Sequence, residues 1–319
     1  MERVWGGNGL AENFGKPVPA GKRIGEAWEI SDRPEGQSTV ASGPLAGRTL
    51  RWLMESHQHE LLGNAKPVNG RFPLLVKILD SADKLSLQVH PPASLAAQLG
   101  GEPKTEMWYI THTLPGADLF VGLRSGLGRT DFEAALAKKQ VADCFHRIEV
   151  KPGDCMFLPS GRVHALGAGV TMFEVQQNSD TTYRVYDWDR VGLDGKPREL
   201  HVEQSLACID FADHTPDLVK AVETTIAGAV RRELIDNSLF KITVWRSPAG
   251  GAIPLHKPGI CQIVASVKGT LKIAATPTDA GFELLAGQFA ILPAECAGVE
   301  ISGSAAGEFL VAEPGGAAA

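Results

Sequence analysis

Residues 152–164, PGDCMFLPSGRVH, recur in altered form as residues 286–298, AGQFAILPAECAG. Four positions correspond at a constant offset of 134 residues (287 minus 153), namely Gly153 with Gly287, Phe157 with Ile291, Leu158 with Leu292 and Pro159 with Pro293. A repeat at a fixed offset predicts two copies of one β module. His164 falls on Gly298 at this offset, so chemistry that depends on the histidine is confined to the first copy.

The first stretch follows the pattern G-D-x-x-x-x-P-x-G-x-x-H over residues 153–164. This pattern resembles the second conserved motif of the cupins, which are small antiparallel jelly-roll barrels that hold a metal inside. The resemblance implies a mainly β double cupin with a few helices inserted around the first barrel. We expect a catalytic, metal-binding domain over residues 1–230 and a degenerate C-terminal barrel without metal over residues 231–319.

Composition excludes several other classes of protein. The chain has 319 residues, of which 44% are hydrophobic and 21% charged, so it can bury a large core and is not disordered. A net charge of −6 without clusters of Lys and Arg argues against nucleic acid as a partner. Because no leader-like segment or long apolar run is visible, we expect a cytoplasmic protein that does not bind membranes. The five cysteines lack metal-binding spacing and are expected to be reduced.

Helical periodicity is limited to a few segments. The spacing of apolar residues predicts helices over residues 49–62, 94–99, 130–139 and 217–224, with Thr130 as the N-cap of the third. The remainder alternates between short apolar runs and turns rich in Gly, Pro and Asp, which is typical of strands.

The segment KLSLQVHPP, residues 84–92, alternates strictly between apolar and polar side chains. Ser86, Gln88 and His90 therefore share one face of a strand. Such a face usually points to solvent. In a small barrel it can instead point into the lumen and meet ligands from other strands.

Two other segments supply partners for His90. Glu106 lies in GEPKTEMWYI, residues 101–110, and His164 ends the first copy of the repeat. Two imidazoles and one carboxylate form a donor set that suits a borderline divalent ion such as zinc. Gln88 could add a fourth ligand through its amide oxygen.

Taken together, the motifs resemble those of type I mannose-6-phosphate isomerases, in particular the short bacterial branch. The resemblance is carried by WGG at residues 5–7, GEAWEIS at 25–31, FPLLVKILDSADKLSLQVHPP at 72–92, GEPKTEMWYI at 101–110, LPSGRVHALGAG at 158–169 and FEVQQNSDTTYRVYDWDR at 173–190. It implies one Zn²⁺ per chain, bound by His90, Glu106 and His164 with Gln88 as an additional ligand. It also implies that Arg184 is the active-site arginine.

The implied reaction interconverts D-mannose 6-phosphate and D-fructose 6-phosphate. It moves a proton between C1 and C2 through an enediolate, and so requires a base, a cation near both oxygens and a group that binds phosphate. We interpret Arg184 as an electrostatic catalyst, because a permanently charged guanidinium stabilises anions better than it removes protons. The base could be Glu174, Lys104 or a metal-bound water, and Glu174 is the simplest of these.

Ser86 and Lys77 are the candidates for binding the phosphorylated hexose. Lys77 lies within the apolar run LLVKIL, where a buried charge requires a partner. Lys84 and Lys104 are also close in sequence, but Lys84 is expected to be a solvated surface charge.

Two alternatives remain open at this point. A set of two histidines and one carboxylate also binds iron in oxygenases, many of which are cupins. The chain could also be a non-catalytic sugar-binding double cupin. In the second copy only His256 could replace a ligand, since Gln262 and Gly298 occupy the other two places, so no metal is expected there. The oligomeric state is expected to be a monomer or a small homo-oligomer.

Overall fold

The structure is a computed structural model that describes residues 1–255, 259–275, 280–296, 298–303 and 305–315. His256 lies outside the described residues. The chain forms two compact units. The first comprises Met1–Ala27 and Lys77–Val219, and the second comprises Trp28–Val76 and the chain from Lys220 onward. The domain boundary expected at residue 230 stays a prediction.

Strands make up most of the regular structure. In chain order they are β1 (Glu2–Gly7), β2 (Glu26–Ile30), β3 (Asp32–Arg33), β4 (Gly36–Gln37), β5 (Leu74–Ser81), β6 (Leu87–Val89), β7 (Glu106–Thr113), β8 (Asp118–Leu123), β9 (Phe145–Glu149), β10 (Cys155–Leu158), β11 (His164–Leu166), β12 (Val170–Gln177), β13 (Tyr183–Tyr186), β14 (Val222–Ile226), β15 (Ala229–Asp236), β16 (Phe240–Ser247), β17 (Ala252–Pro254), β18 (Gln262–Lys268), β19 (Leu271–Ala274), β20 (Phe282–Leu284), β21 (Phe289–Leu292), β22 (Glu300–Ser302) and β23 (Gly307–Pro314). The helices are α1 (Gly9–Phe14), α2 (Leu50–Ser56), α3 (Gln58–Leu62), α4 (Ala93–Ala96), α5 (Arg129–Ala137) and α6 (Val202–Cys208), with a 3₁₀ turn at Val141–Cys144.

The first unit is built around two antiparallel sheets. One has the order β1-β5-β12-β7-β10, with β2 also paired to β5, and the other has the order β13-β6-β11-β8-β9. Apolar side chains of both sheets, including Met172, Leu119 and Val121, form one buried cluster. The intervening Phe120 packs on the other face of its sheet, in a second cluster with Phe132 of α5. The alternation of side chains along β8 therefore gives this sheet an apolar layer on each face.

The second unit repeats this arrangement with its own sheets and its own core. Its sheets have the orders β14-β15-β16-β23-β18-β21 and β17-β22-β19-β20. Both contribute to one buried cluster, in which Val264 and Phe309 come from the first sheet and Ile273 and Ile301 from the second. The expectation of a mainly β fold with two barrels is confirmed.

The repeat in the sequence is also a repeat in the structure. Strands β10 and β21 lie 134 residues apart (289 minus 155) and end the sheet orders β12-β7-β10 and β23-β18-β21. Gly153 and Gly287, which precede them, have φ values of 91° and 77°, a region that favours glycine. These two glycines recur because the same turn begins the same strand in each copy.

The helices differ in detail from the sequence expectation. The single helix expected over residues 49–62 is two helices, α2 and α3, separated at His57. Thr49 caps α2 by accepting a hydrogen bond from the Trp52 backbone N–H at 3.1 Å. The Ala294 N–H donates to the Leu61 carbonyl at 3.0 Å, which links α3 to the C-terminal part of the second unit.

Two of the helix predictions need correction. The helix expected over residues 217–224 is wrong, because β14 (Val222–Ile226) pairs with β15 there; its β-branched residues favour a strand. The third helix begins at Arg129 instead of after Thr130, and the Gly128 N–H donates to the Asp131 carboxylate at 3.0 Å. The helix expected over residues 94–99 is present as the shorter helix α4, which spans Ala93–Ala96. Helices α1 and α6 were not predicted.

No helix within the described part of the chain is both long enough and apolar enough to cross a lipid bilayer.

Candidate metal centre and active site

Three residues from different strands of the first unit converge in its interior. His90 follows β6, Glu106 begins β7 and His164 begins β11, and each is at least 99% buried. One ligand atom from each lies within 4.8 Å of the others. Among the residues that the structure describes, this is the only group of three or more His, Cys, Asp or Glu side chains close enough to hold a metal ion.

Backbone carbonyls orient both imidazoles. His90 Nδ1 lies 2.9 Å from the carbonyl oxygen of Thr181, and His164 Nδ1 lies 2.9 Å from that of Arg162. A carbonyl oxygen can only accept a hydrogen bond, so Nδ1 carries the proton in both rings. Nε2 of each ring is then the atom that faces Glu106, at 3.5 Å for His90 and 3.2 Å for His164. This is the tautomer that a metal-binding histidine requires.

The electrostatics of the cluster keep its groups in the form that binds a cation. Burial lowers the pKa of His90 to about 3, helped by the positive charge of Lys104, so this imidazole is neutral at pH 7. Burial alone would raise the pKa of Glu106, but the ammonium of Lys104, 2.6 Å from Oε2, holds that pKa well below its usual range. Glu106 is therefore ionised.

These residues fit a divalent cation. Both carboxylate oxygens of Glu106 are buried; Oε2 lies 2.6 Å from the Lys104 ammonium, whereas Oε1 makes no hydrogen bond within the described chain. A buried carboxylate oxygen without a donor is costly, and a cation held between Oε1 and the two imidazoles would compensate it. Two imidazole nitrogens and a carboxylate oxygen are the donors found in catalytic zinc sites, which leave a further position for water or substrate.

Gln88 lies beside the cluster in the sheet. It is the register partner of His164 on β11 and of Arg184 on β13, so these three residues form a row across three strands. Gln88 Nε2 lies 3.4 Å from His164 Nε2, and Ser86 donates to Gln88 Oε1 at 3.4 Å. The oxygen and nitrogen of an amide are assigned from such contacts, and rotation of the amide by 180° would turn the oxygen toward the metal position.

A cavity of about 540 Å³ adjoins the cluster, and its lining residues all belong to the first unit. Gln88 and Lys104 line this cavity and also contact the histidines, so the candidate metal position is at its inner end. Glu174 and Arg184, the other predicted catalytic residues, line the same cavity. The structure therefore brings the predicted catalytic and metal-binding residues together.

Glu174 is a buried carboxylate with an altered pKa. Its Oε2 accepts a hydrogen bond from Trp108 Nε1 at 2.9 Å, and its Oε1 lies 3.4 Å from Lys77 Nζ. Burial raises the pKa of Glu174, and the negative charge of Glu106 raises it further. The positive charges of Lys104 and Lys77 and the Trp108 bond act in the opposite direction without cancelling the rise.

The two predicted substrate-binding residues also line the cavity. Ser86 is buried, and its hydroxyl accepts a hydrogen bond from Arg184 Nε at 3.3 Å. Lys77 lies between two carboxylates, 3.4 Å from Glu174 and 3.6 Å from Asp180. Although burial alone would lower the pKa of Lys77, these carboxylates raise it, so the lysine is charged.

Several residues of the site were not found from the sequence. The carbonyls of Thr181 and Arg162 have no sequence signal, because any residue can supply one. The bond from Trp108 to Glu174 depends on the pairing of β7 with β12, where these two residues are partners. Arg198, which also lines the cavity, comes from a loop without periodicity.

Comparisons with known proteins identify the family of the chain. A family model described as phosphomannose isomerase type I, catalytic domain, matches residues 1–103. A Bacillus subtilis protein named Probable mannose-6-phosphate isomerase GmuF is 35% identical over 98% of this chain and 96% of its own length. The mannose-6-phosphate isomerase ManA of the same organism is 36% identical over 85% of this chain and 84% of its own.

Solved structures give the same result. The crystal structure of a mannose 6-phosphate isomerase from Bacillus subtilis superposes with a TM-score of 0.89 and 32% identity, and covers 98% of this chain and 96% of that one. A mutant phosphomannose isomerase from Salmonella typhimurium has a TM-score of 0.76 at 18% identity, covering 99% and 97%, which shows a shared fold. With relatives of this similarity over nearly its whole length, the chain belongs to the type I mannose-6-phosphate isomerases, a family of aldose-ketose isomerases.

Proposed function

We propose that this chain interconverts D-mannose 6-phosphate and D-fructose 6-phosphate, with one Zn²⁺ held by His90, Glu106 and His164 and with Gln88 as a further ligand. The observation that carries the proposal is a single cavity. A carboxylate of raised pKa and an arginine line it, and the buried cluster of candidate metal ligands adjoins it beside Gln88 and Lys104.

A divalent cation bound by these ligands supplies a positive charge that polarises the sugar carbonyl and stabilises negative charge on oxygen. Zinc suits the set because it binds nitrogen and oxygen donors and undergoes no redox change.

Glu174 is the candidate base that moves the proton between C1 and C2. A raised pKa makes the ionised carboxylate a stronger base than an ordinary glutamate. Trp108 donates a hydrogen bond to Oε2, and the other oxygen, Oε1, faces Lys77. Lys104 is the alternative base, but its Nζ lies 2.6 Å from Glu106 Oε2 and 3.1 Å from His90 Nε2, where it pairs with the atoms assigned to the metal.

Arg184 acts as an electrostatic catalyst in this proposal. Its Nε and Nη1 donate to Ser86 Oγ and to the Glu199 carbonyl at 3.3 and 2.8 Å, which fixes the guanidinium. Nη2 makes no hydrogen bond within the described chain and is left for an anionic substrate group. Ser86 and Lys77 bind the substrate beside it.

The two alternatives make different predictions about metal and substrate. An iron oxygenase would contain iron and consume oxygen, and a sugar-binding protein would bind substrate without turnover. Neither is favoured by the comparisons, because the relatives that match nearly the whole chain are named as isomerases.

The test combines metal analysis with a coupled assay on mannose 6-phosphate. After dialysis against a chelator, the protein is expected to lose isomerase activity together with its metal, and Zn²⁺ is expected to restore both in a 1:1 ratio. Full turnover by metal-free protein would contradict the metal assignment. A zinc-loaded protein without turnover would contradict the isomerase assignment.

A further inference from the structure

Strand β14 (Val222–Ile226) forms one edge of a sheet in the second unit and buries none of its side chains. All five of its residues are exposed, and no other strand that the structure describes has this property. Within the described chain its only sheet neighbour is β15. The buried cluster of this unit includes side chains from the other five strands of the sheet but, among the described residues, none from β14. Packing within one chain therefore does not account for this strand.

The residues of β14 are nevertheless typical of a strand. Four of the five, in the sequence VETTI, are β-branched. Val222, Thr224 and Ile226 share one face, and Val222 and Ile226 remain 67% and 40% exposed. Their face is the one that covers the core in the next strand, because Ala229, the register partner of Ile226, belongs to the buried cluster. A strip of β-branched side chains thus continues the inner face of the sheet beyond the core.

The edge of β14 lacks the features that usually keep an edge strand from pairing with another chain. Such features include Pro or Lys on the strand and a β-bulge that twists the edge away. β14 contains neither Pro nor Lys, and its register with β15 is regular over all five residues. Its one charged side chain, Glu223, lies 3.4 Å from Arg232 Nε and is paired within the hairpin. The edge is therefore open to a further strand.

The turn between β14 and β15 determines which backbone groups face outward. Ala227 and Gly228 have φ values of 49° and 79°, as in a type I′ turn, where the carbonyl before the turn accepts a hydrogen bond from the N–H after it. The backbone of Ile226 therefore faces β15. Because the bonding direction alternates along an antiparallel strand, the N–H and C=O groups of Glu223 and Thr225 face away from β15. These four groups can bond another strand.

We propose that β14 is the docking site for a second copy of this chain, whose own β14 adds antiparallel to the same edge. A twofold axis at Thr224 places Glu223 of each copy opposite Thr225 of the other, so that their outward backbone groups exchange hydrogen bonds. On the inner face, Val222 then lies opposite Ile226 of the second copy, and the two Thr224 side chains lie opposite each other. Pairs of β-branched residues and of threonines stabilise neighbouring strands. The edge is thus complementary to itself, which favours a second copy over an unrelated strand.

Charge and strand length select this register among the twofold arrangements. An axis at Glu223 would place the two carboxylates directly opposite each other, which is unfavourable. An axis at Thr225 would place Glu223 opposite Ala227 of the second copy, which belongs to the turn and has a positive φ. The axis at Thr224 pairs all five residues of both strands.

The interface is expected to be small. A standard interface buries about 800 Å² on each partner, which is more than a five-residue strand presents. Association is therefore expected to be weak, with monomer and dimer in exchange, and the test must detect a dimer that is present only part of the time.

Disulfide trapping tests the register on the full chain. In Thr224→Cys the two introduced residues meet at the axis as a pair without mutual backbone bonds, where the Cα atoms are about 4.5 Å apart and a disulfide can form. In Thr225→Cys, the matched control, they lie about 8–9 Å apart and cannot be joined. Mild oxidation followed by non-reducing electrophoresis is expected to give a covalent dimer for Thr224→Cys, with Thr225→Cys no higher than the wild type. No trapping in Thr224→Cys, or equal trapping in both variants, would overturn the proposal.

Sedimentation equilibrium tests the backbone pairing without a cross-link. The wild type is expected to show reversible dimers as its concentration rises to about 1 mM. Thr225→Pro removes an N–H that has no partner in the hairpin, once in each copy, and is expected to weaken dimerisation about ten-fold or more. Thr225→Ala keeps that N–H and is expected to dimerise like the wild type, and thermal unfolding checks that both variants keep the fold.

The outcomes separate a second copy from other occupants of the edge. A purified wild-type chain that stays monomeric over the whole concentration range would overturn the proposal and leave the edge to a different protein. Dimers that persist unchanged in Thr225→Pro would place the interface elsewhere and overturn it as well. Equal weakening by Thr225→Pro and Thr225→Ala would contradict the backbone pairing.

Discussion

Replacing Trp108 by phenylalanine removes the indole N–H that donates to Glu174 Oε2 at 2.9 Å. This bond stabilises the ionised carboxylate and therefore lowers the pKa of Glu174, against burial, which raises it. A hydrogen bond to a charged group contributes about 1.5–3 kcal/mol, and one pKa unit corresponds to about 1.4 kcal/mol. Loss of the bond is thus expected to raise the pKa of Glu174 by about one to two units.

The assay is the pH dependence of kcat/KM for mannose 6-phosphate. Because a base must be deprotonated, the rate falls as the pH drops through the pKa of Glu174, which lies above the ordinary value of about 4.3. In Trp108→Phe this acid limb is expected to move to higher pH by about one to two units. Glu174→Gln, which removes the titrating carboxylate, identifies the limb by abolishing it.

The second unit provides a control for the substitution itself. Trp245 is also buried, and its Nε1 donates to Thr243 Oγ1 at 3.1 Å. Trp245→Phe therefore also removes a buried indole and a hydrogen bond, at a similar cost of about 2 kcal/mol in unfolding free energy. The lost bond goes to a hydroxyl and not to a carboxylate. Its acid limb is expected to match the wild type. An unshifted limb in Trp108→Phe, or an equal shift in Trp245→Phe, would refute the reasoning that places Glu174 as the base.

Two further predictions concern the metal and the backbone. His164→Ala is expected to remove bound metal and activity while keeping the thermal transition, measured by elemental analysis and circular dichroism, whereas His112→Ala, a half-buried histidine outside the cluster, should retain full metal content. Gly63→Ala is expected to destabilise the protein by more than about 2 kcal/mol in denaturant unfolding, because a Cβ would lie 2.3 Å from the Gly259 carbonyl oxygen at a φ of 57°. In Gly116→Ala, where φ is 80° and nothing lies within 4 Å, only the backbone strain of about 1 kcal/mol remains, and equal losses in the two variants would contradict the steric argument.

The repeat was the part of the fold that the sequence predicted best. Gly153 and Gly287 marked the same turn in both copies, because a positive φ restricts the choice of residue and so leaves a signal. Helix ends left a weaker signal. The break at His57 and the strand at Val222–Ile226 depend on packing and on pairing with β15, which residue periodicity does not report.

In the site, too, some residues could be predicted from the sequence and others could not. The convergence of His90, Glu106 and His164 could be predicted because few residue types can serve as ligands in a candidate metal site. Arg198 was missed, although its side chain lines the cavity, since an arginine in a polar loop looks like any solvated charge. Only the bonds to Asp187 distinguish it, and those bonds require the folded chain.

The main-chain carbonyls that hold the two imidazoles have a consequence for mutagenesis and for evolution. The oxygens of Thr181 and Arg162 persist whichever side chain is present, so no substitution at these positions deletes them. An alanine scan would report instead on other contacts, such as the pair between the Arg162 guanidinium and Asp213. The tautomer of both imidazoles is thus protected against point mutation, and only a change of backbone path, by insertion, deletion or loop grafting, would alter it.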